Sequence, residues 1–156
     1  MRLQASLLDR LIDDEPERAA DPPRARSDAL RRIREGLRRD LESLLNTRRR
    51  PTTLPAAFTA LRGALPGYGV EDFVGAPLAT AEQRTDLARA LEATIKAFEP
   101  RFHSVRVSVV KGRDPLERLL RIRIEAVAHL GAGPEPVAFE TSLDPAIRSF
   151  AVESPH

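Results

Sequence analysis

The hydrophobic period of this chain changes once, at Pro100, and that change constrains the fold more than any other feature. Ahead of it, apolar residues recur at helical spacing. Leu30, Ile33, Leu37, Leu41, Leu44 and Leu45 follow one another at steps of 3, 4, 4, 3 and 1, one stripe on a helix facing a core. Leu87, Leu91, Ile95 and Phe98 draw a second line. After Pro100 the period is 2. Val105, Val107 and Val109 alternate with Arg106 and Ser108, Leu120, Ile122, Ile124 and Ala126 with Arg121, Arg123 and Glu125, and Val137, Phe139 and Thr141 with Ala138 and Glu140. Alternation of this kind is the mark of half-buried strands. Helices followed by a strand meander predict an α+β domain: two main helices plus a short one, packed on a three- to four-stranded antiparallel sheet.

Local chemistry sets the boundaries. Ser27 is a good N-cap and Asp28 sits where the helix dipole favours an acid, so the first long helix is expected to start just after Ser27. Asp28–Arg32, Glu35–Arg39 and Arg38–Glu42 are spaced i,i+4 on its outer face. Asn46 suits the helix end and Pro51 blocks continuation. Leu54, Phe58, Leu61 and Leu65, at steps of 4, 3 and 4, predict a short helix over 55–63. Pro66-Gly67-Tyr68-Gly69 reads as a tight loop, with the chain's single tyrosine in it. Thr80 and Gln83 have the spacing of a capping box opening the second long helix. Turns are expected at 111–115 and 131–134, and Phe150 with Val152 supply a fourth short strand. The outward face of the sheet, rich in Arg and Glu, is solvated or meets a polar partner.

Leu3, Leu7, Leu8 and Leu11 make a helical stripe too short to be stable alone. Acids at 13–17 and a Pro-Pro stretch separate it from the body. Residues 1–26 are therefore expected to be a docking segment and flexible linker, with Leu7, Leu8 and Leu11 as partner-binding residues, and 27–156 a single domain.

Composition narrows the function. A chain of 156 residues with 42% hydrophobic and 31% charged residues has the balance of one soluble globular domain. No apolar run approaches the roughly 18 to 20 residues of a membrane helix, and charge interrupts the short apolar start too early for a signal peptide. The absence of cysteine removes disulfides, thiol catalysis and thiolate metal sites; a cytoplasmic location is expected. The net charge is only +2, and residues 1–50 carry 13 Arg against 10 acids, so neither half is a nucleic-acid polycation.

The search for chemistry finds little. His103, His129 and His156 are isolated in sequence, with no metal-ligand spacing. No nucleophile elbow or phosphate loop occurs. Glu71, Asp72 and Glu99 are the carboxylates available for glycoside hydrolysis, which needs two across one cleft. Arg48-Arg49-Arg50 is either a phosphate-binding run or three cations at a helix C-terminus, where the dipole favours them. Tyr68 belongs to an aromatic loop that serves either as a contact surface or as a cap on the core. Glu99-Pro100-Arg101 places opposite charges on either side of a rigid residue, suited to a partner contact or to an internal ion pair.

Taken together, Leu7-Leu8-Asp9-Arg10-Leu11, Arg39-Asp40-Leu41-Glu42-Ser43-Leu44-Leu45-Asn46-Thr47-Arg48-Arg49, Tyr68-Gly69-Val70-Glu71-Asp72-Phe73, Phe98-Glu99-Pro100-Arg101 and Phe139-Glu140-Thr141 follow one pattern. The chain resembles the TssE family of type VI secretion baseplate subunits, itself similar to a wedge protein of contractile phage tails. The resemblance implies a structural subunit, not an enzyme, without metal or cofactor. It implies a place at the cytoplasmic face of the bacterial envelope, among other wedge subunits and beneath a contractile sheath. It also implies partner-binding roles for Glu99, Pro100 and Arg101, and an edge strand that starts sheath assembly. A peptidoglycan-cleaving, lysozyme-like glycosidase and an Arg-rich nucleic-acid-binding module remain as alternatives.

Overall fold

The computed structural model describes residues 11–12, 16–17, 26–49, 57–71, 80–110, 119–130, 133–144, 147 and 149–154. The order is α1 (Arg26–Asn46), a single turn α2 (Thr59–Arg62), a 3₁₀ turn (Leu65–Gly67), α3 (Ala81–Phe98), then β1 (Phe102–Val110), β2 (Leu120–His129), β3 (Pro134–Asp144) and β4 (Ser149–Glu153). The four strands form one antiparallel meander in the order β1-β2-β3-β4. This is the α+β architecture that the change of period predicts. The expected turns at 111–115 and 131–132 and the break at Pro51 lie outside the described residues.

The two helical stripes and the strand alternation meet in one core. Leu37, Leu41, Leu91, Ile95, Ile122, Ile124 and Phe139 are its largest fully buried side chains. Each such residue contributes about 1.5–3 kcal/mol relative to exposure. α1 packs along β4 and α3 along β1, so the helices cover one face of the sheet.

Details of the boundaries differ from the sequence expectation. α1 starts at Arg26, which places Ser27 inside the first turn and not at the cap. On the outer face the expected Arg38–Glu42 pair forms at 2.9 Å, and Arg31 binds Asp28 and Arg38 binds Glu35 at i+3 spacing. The short helix is one turn, and its apolar stripe is not a core face: Leu65 is 87% exposed and Phe58 57%. A single turn has too few backbone bonds to hold an amphipathic face in place. At α3, Gln83 N–H donates to the Thr80 hydroxyl and Thr80 N–H donates to the Gln83 amide, completing the capping box.

One glycine is required by the fold. Gly69 has φ +103°, and a Cβ there would overlap the Thr47 carbonyl oxygen. That close approach lets Val70 exchange two backbone bonds with the end of α1: Val70 N–H donates to Thr47 at 2.8 Å and Arg49 N–H donates to Val70 at 2.9 Å. The loop carrying Tyr68 is thereby fixed to α1.

Candidate partner-binding groove

The boundary between α3 and β1 builds the most distinctive cluster of side chains. Pro100 cannot donate and fixes φ, so the helix ends and the chain turns into the sheet. Glu99 sits at the α3 C-cap, its N–H donating to Ile95, and it is only 6% exposed. A carboxylate so buried needs charged donors. Arg101 supplies them as a fork: Nε donates to Glu99 Oε1 at 2.6 Å and Nη2 donates to Oε2. The Arg101 N–H adds a third bond at 3.2 Å. Nη2 also donates to Asp40 Oδ2 on α1 at 2.6 Å. Glu99, Arg101 and Asp40 are thus one network joining α1, α3 and β1. Burial pulls the Arg101 pKa down, but bonds and charge from Glu99 and then Asp40 outweigh it and leave the guanidinium more basic than usual.

Around this network lies an open groove of about 400 Å³, lined by Asp40, Leu44, Tyr68, Phe98, Glu99, Pro100 and Arg101. Tyr68 and Phe98 meet edge to face with centroids 5.3 Å apart, a favoured aromatic arrangement. Burial raises the Tyr68 pKa first, and the Asp40 charge adds to it; a hydrogen bond with Ser43 acts the other way, and Glu99 raises it further. The groove therefore has an aromatic and proline wall beside a charged floor whose members already bond one another.

This locates the sequence candidates. Tyr68, Glu99, Pro100 and Arg101 converge on one groove. Glu99 and Arg101 are an internal pair, while Pro100 is exposed and Tyr68 half-buried. Leu11 is 81% exposed; Leu7 and Leu8 lie outside the described residues. Of the basic run, Arg49 bonds Glu71 and Arg48 forms a bridge with Val70, while Arg50 lies outside the described residues. Each described carboxylate nominated for hydrolysis is held by an arginine, Glu71 by Arg49 and Glu99 by Arg101. Asp72 lies outside the described residues. His103 and His129 stand edge to face on neighbouring strands, 5.6 Å apart. Among the described residues no group of three or more His, Cys, Asp or Glu is placed to hold a metal ion, and no helix is long and apolar enough to cross a membrane.

Two sets of side chains that join the elements around the groove and β4 escaped the sequence reading. Asp40 was not singled out as a site residue, although it sits beside the apolar stripe at Leu37, Leu41 and Leu44, which is a signal of a polar group with a specific partner. Arg38 and Glu42 read as an outer-face pair and Asn46 as the helix end, but all three reach β4. The Asn46 amide donates to the Phe150 carbonyl and accepts from Phe150 N–H, both at 2.9 Å. Glu42 accepts from Val152 N–H at 3.3 Å, and Arg38 donates to the Val152 carbonyl at 3.0 Å.

The class defined by this geometry is a small α+β domain with two helices on a four-stranded antiparallel meander and a groove at its helix–sheet junction. The profile of the family described as "Baseplate wedge protein gp25" matches residues 31–131, and the chain belongs to that family, a structural component of baseplates. No curated protein matches it. Among solved structures, a chain of "The baseplate complex from the type VI secretion system" is similar, with a TM-score of 0.50 and 16% identity over 72% of this chain and 94% of that one. That likeness is one of fold.

Proposed function

We propose that this protein is a structural subunit of a type VI secretion baseplate wedge, which joins neighbouring wedge subunits and helps start the contractile sheath. The family match over residues 31–131 carries the reading, because it spans α1 through β2 and so includes every residue that lines the groove. In this reading the groove is the contact with a neighbouring wedge subunit. Glu99 and Asp40 hold the Arg101 fork in place. Tyr68, Pro100 and the open side of Arg101 meet the partner, already ordered and so losing little freedom on binding. The 1–26 segment, through Leu7, Leu8 and Leu11, tethers a second partner. An edge of the sheet receives a strand of the sheath. The subunit works in the cytoplasm at the envelope, without cofactor and without catalysis.

The test is assembly. Tyr68→Ala and Pro100→Glu alter the exposed wall and leave the buried network in place, so both should fold. Each should lose capture of wedge subunits from a native lysate by tenfold or more. Normal capture by both variants would remove the groove from the interface. Cleavage of peptidoglycan by the purified wild-type protein, abolished in Glu99→Gln, would overturn the structural reading.

A further inference from the structure

The two edges of the sheet differ in how their backbone groups are used. On β4 the register with β3 leaves Phe150 and Val152 pointing outward, and α1 takes all four of their N–H and C=O groups through Asn46, Glu42 and Arg38. That edge is sealed against a further strand. On β1, Val107 lies opposite Ile124 and its N–H points away from β2. Alternation then turns Val105, Val107 and Val109 outward and directs Arg106 and Ser108 to β2. Of these outward groups, the Val107 N–H is taken by Glu92 Oε2 of α3 at 3.1 Å. Among the described residues no bond is made to the carbonyls of Val105, Val107 and Val109 or to the N–H of Val105 and Val109.

We propose that Glu92 is a latch on β1, the edge that stays open among the described residues, holding the Val107 N–H until an extended segment of a partner protein displaces it. Glu92 suits the task. It reaches the strand from a neighbouring element, and Lys96 steadies its other oxygen at 2.6 Å, so the carboxylate leaves without unravelling helix or sheet. A side chain that occupies the central donor of an edge also guards the isolated subunit against pairing with the wrong strand. The geometry specifies the incoming segment. Its residues opposite Val105, Val107 and Val109 share the core-side face with those valines and are apolar. The residue opposite Arg106, on the exposed face between Ser104 and Ser108, is acidic by charge complementarity. The inference rests on the baseplate reading only in taking this strand to be a partner's.

The experiment uses the full chain and a labelled nonapeptide that alternates serine and valine with glutamate at its centre, followed by fluorescence anisotropy. Glu92→Ala should bind the peptide at least fivefold more tightly than wild type. A peptide with lysine at its centre should bind Glu92→Ala about threefold more weakly, and Arg106→Glu, a change at an exposed position, should reverse that preference. Chemical shifts of β1 amides should move on binding, with Val107 among the largest. Equal affinity in wild type and Glu92→Ala, no binding by either, or shifts confined to β4 would each overturn the latch. The result is independent of assembly: a latch confirmed by peptide while wedge capture proves unaffected by the groove variants keeps this inference and removes the reading above.

Discussion

At the scale of single residues, the network around Glu99 decides what each substitution does. Arg101→Ala strands a buried carboxylate and should cost about 3 kcal/mol. Glu99→Ala strands a guanidinium that is 27% exposed and still has Asp40, so about 2 kcal/mol is expected. Asp40→Asn weakens only the outer arm, which water already reaches, and should cost less than about 1 kcal/mol. Urea midpoints of the three variants give the ranking, and an Asp40→Asn loss equal to that of Arg101→Ala would break it. Glu99 and Arg101 form the internal ion pair that was one of the two readings the sequence left open: Pro100 told where the chain turns but not which way its neighbours point. Glu92 gives a pH-dependent counterpart. The Lys96 bond, then the Val107 N–H, hold its carboxyl below the ordinary value. A depressed native pKa means that its contribution is full above the ordinary carboxyl range and is lost as pH falls through the native value. A carboxyl-carbon NMR titration should place Glu92 below the exposed glutamates, and Lys96→Met should move it up.

At the scale of elements, the strands and long helices were legible because burial imposes its period on any sequence that forms them. The contacts between elements were not. Asp40 and Arg101 are 61 residues apart, and Asn46 and Phe150 104; no local pattern announces a bond across that distance. The Asn46 clamp makes the cost measurable. Asn46→Ala removes both bonds to Phe150 and should lower stability by about 1 to 2 kcal/mol. Asn46→Asp keeps the acceptor, loses the donor and faces the Phe150 carbonyl with a charge, so it should cost at least as much. Asn46→Ala should associate at higher concentration, seen by sedimentation, because it frees the Phe150 part of the β4 edge while Glu42 and Arg38 still hold Val152. The interior of β3 presents the opposite case. Thr141 is 3% exposed and its hydroxyl has no partner among the described residues. Thr141→Val removes an unsatisfied polar atom at equal volume, and a gain of about 1 kcal/mol in a urea titration is expected.

At the scale of the whole molecule, the question is which parts make the domain and which connect it to others. Every buried hydrophobic residue among those described lies at or beyond Ile33, and the α1 helix itself begins at Arg26. Leu11, the last of the N-terminal leucines, exposes 81% of its surface. The body therefore has its core, its sealed edge and its groove without contribution from Leu11. If the Leu7, Leu8 and Leu11 stripe is a docking device, removing residues 1–24 should change the melting temperature by no more than about two degrees, the scale of surface substitutions in a domain of this size. If the groove is the wedge contact proposed above, it should still capture that partner, since Tyr68, Pro100 and Arg101 are held by Gly69, Phe98, Glu99 and Asp40. What should be lost is attachment to the second partner, so that the truncated chain supports a partial assembly and no sheath. Thermal melts and a two-partner pull-down separate the outcomes. A drop of ten degrees or more would make the stripe part of the core, and full sheath assembly by the truncated chain would leave the segment without a docking role.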